Sequence, residues 1–171
     1  MRFKAHYHLN YFMKNLENYI QEKFLIDNDM QTYTCHPKDK FELREILEKR
    51  LAKDKDADLN DIDVSQITDM GMFDNYKGLF GSLDPHNIDI SNWDVSKVKD
   101  TSFIFCGCEN FNANLSNWDV SNVIEMAFMF HNCKNFTGKG LENWNVNKVI
   151  DMDFMFDDCT SLKNKPSWYK G

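Results

Sequence analysis

A short segment recurs along the second half of the chain at a nearly constant spacing. The sequence Ser-Asn-Trp-Asp-Val-Ser around Trp93 returns around Trp118, and a third version, Glu-Asn-Trp-Asn-Val-Asn, surrounds Trp144. These tryptophans are 25 and 26 residues apart, and Trp168 follows 24 residues later in a degenerate copy. A fixed period of this size is typical of stacked units that bury their apolar faces against their neighbours. It constrains the fold more than any local pattern does.

The repeated unit has two halves with different apolar spacing. Aligned copies begin at Leu59, Ile90, Leu115 and Leu141, here called copies 1 to 4. The first half reads Trp-x-Val, and this alternation predicts a short strand with one buried face. The second half reads Val-x-x-Met-x-x-Met-Phe-x-x-Cys, and spacings of three and four predict a helix. The predicted fold class is an α/β repeat solenoid, a short leucine-rich-repeat-like array with a parallel strand ladder and short convex helices.

The chain divides into three segments. Residues 1–36 carry aromatic residues mostly three and four apart, which predicts an N-terminal amphipathic helix. Residues 37–58 contain a predicted capping helix, with Asp39 as N-cap and a body from Lys40 to about Lys53, and a lead-in. Residues 59–171 form the array of about four units. The N-terminal helix either covers the array as a further cap or docks on a partner or a second copy, with contacts from Tyr7, Tyr11 and Phe12.

Copy 3 shows the pattern in full. It runs as Trp-Asp-Val-Ser-Asn-Val from Trp118 and continues with Met126, Met129, Phe130, Cys133 and Phe136. This unit closely resembles the BspA-like leucine-rich repeats, a repeat of unknown function in bacterial surface proteins. The resemblance covers roughly residues 38–171, and the lead-in around Leu59 resembles that family's N-terminal cap. It implies a leucine-rich-repeat scaffold and a role at the cell surface or in adhesion, but a scaffold alone does not define a chemistry.

The charge and the motifs exclude several classes of function. A net charge of −7 argues against direct binding to nucleic acid and against docking on an anionic membrane, whereas it suits a protein partner with a basic surface. The sequence contains no phosphate-binding loop, no dinucleotide fingerprint, no nucleophile elbow and no zinc-protease histidine pair. We therefore expect no enzymatic activity and no cofactor.

The ends of the chain and its apolar stretches bear on location. No secretory signal and no apolar run long enough for a membrane span are visible in the sequence. We expect a cytoplasmic protein, with the cell surface as the alternative if an export signal was trimmed.

The cysteines predict a structural role. There are five, and Cys108, Cys133 and Cys159 each follow a repeat tryptophan by 15 residues. A cysteine at one register of a stacked unit points inward as a small hydrophobe, so we expect a buried row of thiols and no metal site. The acidic segment 54–60 lacks the glycine and the closing glutamate of a calcium loop.

The residues that flank each repeat tryptophan are the predicted binding residues. We expect them to point outward in two rows that run across the copies. The first row contains Asp61, Asn92, Asn117 and Asn143, and the second contains Asp63, Asp94, Asp119 and Asn145. Two interpretations remain open: these side chains bond the local backbone, or they form an acidic strip that meets a basic partner.

The sequence thus favours a non-enzymatic protein–protein interaction module. A narrower hypothesis is an acidic inhibitor of a nucleic-acid-binding protein, such as an anti-CRISPR-like anti-defence protein of a phage or mobile element. The alternatives are a bacterial cell-surface or adhesion protein, or a fragment of one, and a structural module that forms a homodimer through its N-terminal helix.

Overall fold

The part of the chain that the structure describes is largely irregular and contains one α-helix. The computed structural model describes residues 33–73 and 76–170. Within these ranges lie helix α1, Lys40–Leu51, and a short 3-10 helix, Gly81–Leu83. Tyr33–Gly171 forms one compact unit. The predicted N-terminal helix, including Tyr7, Tyr11 and Phe12, lies outside the described residues except for 33–36.

The predicted leucine-rich-repeat-like solenoid is wrong. Residues 33–73 and 76–170 contain no strand ladder and no α-helix in the second half of any copy, and parallel pairing is limited to isolated bridges. The spacing that predicted helices comes from consecutive turns instead. The N–H of Ile104 donates to the carbonyl of Thr101 at 3.3 Å, and the N–H of Cys106 donates to that of Phe103 at 2.9 Å. Phe103 has a φ of 60°, in the left-handed region, which also interrupts a right-handed helix.

The predicted strand in the first half of each copy is replaced by two turns. In copy 3 the N–H of Trp118 donates to Leu115 at 3.1 Å, and that of Val123 donates to Val120 at 3.0 Å. These turns lie on either side of Trp118, Asp119 and Val120, and no strand is formed between them. Trp118 and Val120 are buried and Asp119 is exposed, which is the alternation that predicted a strand.

Backbone hydrogen bonds join neighbouring copies. Along residues 126–132 and the matching segment of copy 2, the donor is an N–H of the earlier copy and the acceptor is a carbonyl of the later copy. Other bonds, such as Ile124 to Lys99 and Ile150 to Ile124, run from the later copy to the earlier one. From copy 3 to copy 4 the bonds are Met126 to Asp151 at 2.8 Å, Phe128 to Asp153 at 2.9 Å, Phe130 to Met155 at 3.0 Å and Asn132 to Asp157 at 2.8 Å. The same pattern joins copies 2 and 3, with Thr101, Phe103, Phe105 and Gly107 as donors. Because alternate amides serve the next copy, they are not free to form helical bonds within their own.

The core consists of rings that stack from copy to copy. Trp93 and Trp118 lie 6.5 Å apart with nearly parallel planes, and Phe105 and Phe130 lie 5.6 Å apart. Each indole N–H also finds an acceptor, as when Trp118 Nε1 donates to the carbonyl of Ile90 at 3.1 Å. Stacked aromatic pairs add to the free energy gained by burying their area.

The predicted inward row of thiols is confirmed. Cys108, Cys133 and Cys159 are buried, with exposed fractions of 0%, 0% and 8%. The Sγ atoms of Cys133 and Cys159 lie 3.1 Å and 3.0 Å from carbonyl oxygens of the preceding copy. Burial raises the pKa of the Cys108 and Cys133 thiols well above the usual value and that of Cys159 to about 11.

Helix α1 covers the first copy. The predicted N-cap is confirmed, since the Asp39 carboxylate accepts hydrogen bonds from the N–H groups of Phe41 and Glu42. Leu43, Leu47 and Leu51 are fully buried. Phe41, which belongs to the apolar set of the predicted helix, is instead 57% exposed and packs beside the ring of Phe73. The helix therefore buries its leucines against copy 1.

Arg44, a buried arginine of α1, supplies copy 1 with a hydrogen-bond donor that a preceding copy supplies to the later copies. Leu79 occupies the register of Ile104, Met129 and Met155, whose carbonyls each accept an N–H of the preceding copy. The Leu79 carbonyl instead accepts from Arg44 Nη1 at 2.7 Å. Arg44 is only 8% exposed, and its other nitrogens reach Glu48 and Ser82. The Leu79 carbonyl of copy 1 thus accepts from a cationic side chain of α1 where the later copies accept a backbone N–H.

Candidate functional site

The residues that flank the repeat tryptophans point outward, as predicted. The exposed members are Asn92, Asp94, Asn117, Asp119, Asn143 and Asn145, and the half-buried members are Asp61 and Asp63. Stacking of the tryptophan rings brings the two rows to matching positions on adjacent copies. The structure therefore presents both predicted rows on the outside of the copies.

The second row also has a local structural role. The Oδ1 atoms of Asp63, Asp94 and Asp119 each accept the backbone N–H two residues later at 3.0 Å. Asn145 accepts from the N–H of Asn147 at 3.2 Å, so an amide oxygen forms the same turn without charge. Hydrogen bonds from Ser65 and Ser121 lower the pKa of Asp63 and Asp119, respectively. The turn occupies one carboxylate oxygen of each aspartate.

The two acidic residues in the first copy are paired with neighbouring side chains. Asp61 Oδ2 lies 2.6 Å from Arg50 and also accepts from the hydroxyl of Thr34, and these contacts hold the pKa of Asp61 below its usual value. Asp63 Oδ2 lies 3.3 Å from the His36 ring. Among the described residues, no cation lies within ion-pair distance of Asp94 or Asp119. Besides the Ser121 hydrogen bonds, the charge of Lys148 also lowers the pKa of Asp119, although the two form no ion pair. Asp94 and Asp119 are thus the carboxylates of the strip without a salt bridge among the described residues.

A further row of acidic residues was missed in the sequence. One acidic residue of each copy forms the isolated parallel bridges, and we call this set the acidic bridge row. Its members are Asp69, Asp100, Glu125 and Asp151. The signal was available, because the last three are 25 and 26 residues apart, like the tryptophans. Asp69, Asp100 and Asp151 each accept the backbone N–H two residues later, and Asp69 also pairs with Lys40 at 2.7 Å.

An aromatic row lies beside the acidic bridge row and was also missed. It consists of Tyr76, Phe103, Phe128 and Phe154, with ring centroids 6.2, 4.7 and 4.9 Å apart. All four have positive φ, between 56° and 66°, which is unusual for bulky side chains. Tyr76 and Phe154, at the two ends, are 77% and 52% exposed. The inner rings are shielded by their neighbours, so the row offers ring edges along its length and an open face at each end.

No arrangement for metal binding is found in residues 33–73 and 76–170, where no group of three or more histidine, cysteine or acidic side chains is placed to hold an ion. Over the same residues, no helix is long and apolar enough to cross a bilayer.

Comparison with known families gives one match. A family model described as "Mycoplasma protein of unknown function, DUF285" matches residues 74–170, more than half of the chain. The chain belongs to the DUF285 family. Comparison with curated proteins and with solved structures finds no match. The DUF285 match covers copies 2 to 4, with Asp94 and Asp119, and includes all four residues of the aromatic row. The family's description is compatible with a bacterial origin.

Proposed function

We propose that this DUF285 protein is a non-enzymatic protein-binding module that engages a basic surface of its partner. The observation that carries the proposal is the pair of exposed carboxylates, Asp94 and Asp119, at one register of adjacent copies, with no cation in ion-pair distance among the described residues. Complementary charge steers association and selects partners. The net charge of −7 acts in the same direction.

The experiment separates the charge of these aspartates from their role in the turn. Asn145 already forms the turn with an amide, so the double variant Asp94→Asn and Asp119→Asn keeps the backbone bonds and removes two charges. The tagged protein is used to recover a partner from cell lysate at low and moderate salt, and the affinity of the purified pair is then measured. We expect the double variant to bind more weakly and moderate salt to weaken the native pair, because exposed charges are screened.

A matched gain of charge completes the test. Asn145→Asp adds a third carboxylate at the same register without changing the turn, and we expect it to tighten binding. Equal affinity for the native protein, the double asparagine variant and Asn145→Asp would eliminate this row as the binding surface.

The narrower form of the proposal is an inhibitor of a nucleic-acid-binding protein. Carboxylates at regular intervals present negative charge where a partner would otherwise bind phosphates. Such a partner would release this protein when a DNA or RNA duplex is added in excess. A partner that binds both at once without competition would exclude this form.

The second candidate is a bacterial surface or adhesion protein. It is supported by the resemblance of the unit from Trp118 to Phe136 to BspA-like repeats. It places the protein outside the cell, whereas the inhibitor places it in the cytoplasm. Protease treatment of intact cells separates the two, since only a surface protein is digested before lysis.

A further inference from the structure

The last copy leaves a row of backbone donors without acceptors. The residues are Met152, Phe154, Phe156 and Asp158, in the registers of Met126, Phe128, Phe130 and Asn132. In copy 3 those four N–H groups donate to copy 4 at 2.8 to 3.0 Å. In copy 4 the corresponding groups have no acceptor among residues 33–73 and 76–170. We call residues 150–158 the terminal edge.

The C-terminal turn covers the first half of copy 4, because Trp168 stacks on Trp144 at 6.1 Å and donates its Nε1–H to the Leu141 carbonyl at 2.7 Å. Tyr169 also packs edge-on against the ring of Phe156 in the terminal edge. Among residues 33–73 and 76–170, no group accepts from the four backbone donors of that edge. An exposed run of unpaired backbone groups is a ready template for another chain.

The direction of the hydrogen bonds at each residue determines what can bind there. The terminal edge offers four donors along residues 152–158, and at Ile150 a carbonyl in the register where Ile124 accepts the Ile150 N–H. Its occupant must therefore offer carbonyl acceptors at alternate residues along 152–158. Two terminal edges facing each other would oppose donors with donors. On the opposite side of copy 1, two of the matching carbonyls are already occupied: that of Leu79 accepts from Arg44, and that of Lys77 accepts from the Phe73 N–H. A second copy of this chain therefore fits poorly, and a segment of a different protein fits better.

The side chains around the edge indicate the partner's chemistry. Residues 150–158 contain four aspartates and no basic residue. Asp153, Asp157 and Asp158 are exposed, and Asp151 is half-buried. Ile150 and Phe154 are 77% and 52% exposed. A complementary segment carries lysine or arginine for the carboxylates and apolar side chains for the two exposed hydrophobic residues.

We propose that the terminal edge binds an extended segment of another protein that bears lysine or arginine alternating with apolar residues. Its backbone carbonyls accept from Met152, Phe154, Phe156 and Asp158, and its cationic side chains meet the aspartates of the edge. This site lies apart from Asp94 and Asp119 and does not depend on them.

The test uses the full chain, labelled with ¹⁵N, and three probes. These are a capped short peptide of alternating lysine and valine, the same peptide with glutamate for lysine, and free polylysine. Amide hydrogen exchange and chemical shifts are followed for the four donors and for their counterparts in copy 3. We expect the lysine–valine peptide to slow exchange at the four donors, the glutamate peptide to have no effect, and polylysine to bind more weakly. Unchanged exchange at the donors at saturating lysine–valine peptide would overturn the proposal.

Two asparagine variants provide the matched comparison. Phe154 and Phe103 have φ values of 56° and 60°, and asparagine tolerates this conformation better than phenylalanine, so both variants are expected to fold. Phe154→Asn removes the exposed ring of the terminal edge and should lower the affinity for the peptide by about fivefold or more. Phe103→Asn should leave that affinity unchanged. Equal loss in both would contradict the assigned site.

Two further results keep this proposal separate from the others. The double variant Asp94→Asn and Asp119→Asn should bind the peptide as the native chain does, even if it loses its partner at the other surface. Light scattering should give the mass of one chain. Concentration-dependent dimerisation that protects the four donors would identify a second copy as the occupant and overturn the proposal.

Discussion

Several outward-facing side chains of this protein also accept hydrogen bonds from the local backbone. Asp94 and Asp119, which follow repeat tryptophans, are exposed, and Asp63, which follows Ile62, is half-buried. The carboxylate of each accepts a local N–H. The sequence analysis left both roles open, and the structure shows that the hydrogen bond is formed. The remaining carboxylate oxygen still carries charge, so the two roles are compatible.

This arrangement predicts a difference between alanine and asparagine at Asp119. Asp119→Ala removes the acceptor for the Ser121 N–H and should lower the free energy of unfolding by about 0.5–1.5 kcal/mol. Asp119→Asn keeps an oxygen there, as Asn145 does, and should cost much less. Urea denaturation of the two variants measures the difference. Equal losses would show that the turn bond does not contribute.

Thiol reactivity is a second property of single residues. Burial raises the pKa of the Cys108 and Cys133 thiols well above the usual value, so both stay protonated and shielded at pH 8. Cys35 and Cys106 are half-buried. We expect iodoacetamide at pH 8 to modify Cys35 and Cys106 first in the folded chain and all five cysteines in denaturant. Mass spectrometry of tryptic peptides gives the order, and early labelling of Cys133 would contradict the buried row.

At the scale of elements, α1 was predictable and the turns were not. An aspartate before an apolar-periodic run with no breaker is a specific helix signal, and the helix begins where it was predicted. The second half of each copy has the same spacing of three and four. That spacing places apolar side chains on one side of a helix, but it does so equally in consecutive turns with bonds three residues apart. The hydrogen bonds to neighbouring copies decided between them, and a single copy does not contain that information.

The candidate site was partly predictable for the same reason. The outward rows followed from the residues around a buried tryptophan. The acidic bridge row and the aromatic row were obscured because Glu125 and Phe128 fall inside the segment read as a helix. Their recurrence was visible in the sequence, but the left-handed backbone that turns Phe128 outward was not.

The contact between α1 and copy 1 leads to a prediction for Arg44. Arg44→Met keeps most of the apolar stem and leaves the buried Leu79 carbonyl without its donor, which should cost about 1–3 kcal/mol. Lys49→Met changes an exposed position of the same helix and should be nearly neutral. Thermal unfolding of both variants makes the comparison. A neutral Arg44→Met would mean that water or a neighbouring group replaces the guanidinium.

The buried thiol row should make the folded state less stable at alkaline pH. Burial raises the pKa of Cys159 from 9.0 to about 11 in the folded chain. The folded thiol keeps its proton where the unfolded thiol loses it, so this contribution is complete below pH 9 and is lost as pH rises toward 11. We expect the urea midpoint to fall across this interval and to fall less in Cys159→Ala. Parallel curves for the two chains would exclude the thiol as a cause.

At the scale of the whole molecule, stability should differ between the middle of the stack and its end. Trp118 is 3% exposed and stacks on Trp93, whereas Trp168 is only partly buried. We expect Trp118→Ala to destabilise by about 3–5 kcal/mol and Trp168→Ala by clearly less. Guanidinium denaturation followed by circular dichroism measures both. A larger loss of stability in Trp168→Ala than in Trp118→Ala would show that the C-terminal turn stabilises the fold more than the partial burial of Trp168 suggests.

The hydrogen bonds between the second halves of neighbouring copies, such as Phe105 to Met129 and Phe130 to Met155, repeat with the same donor and acceptor registers. A copy inserted between copies 2 and 3 would receive donors from one neighbour and supply them to the other, and neither end would need to change. Length can therefore vary by whole copies during evolution or engineering, while helix α1 and the terminal edge keep their identities. Proteins with different numbers of copies would differ in the separation between α1 and the terminal edge by one ring spacing per added copy.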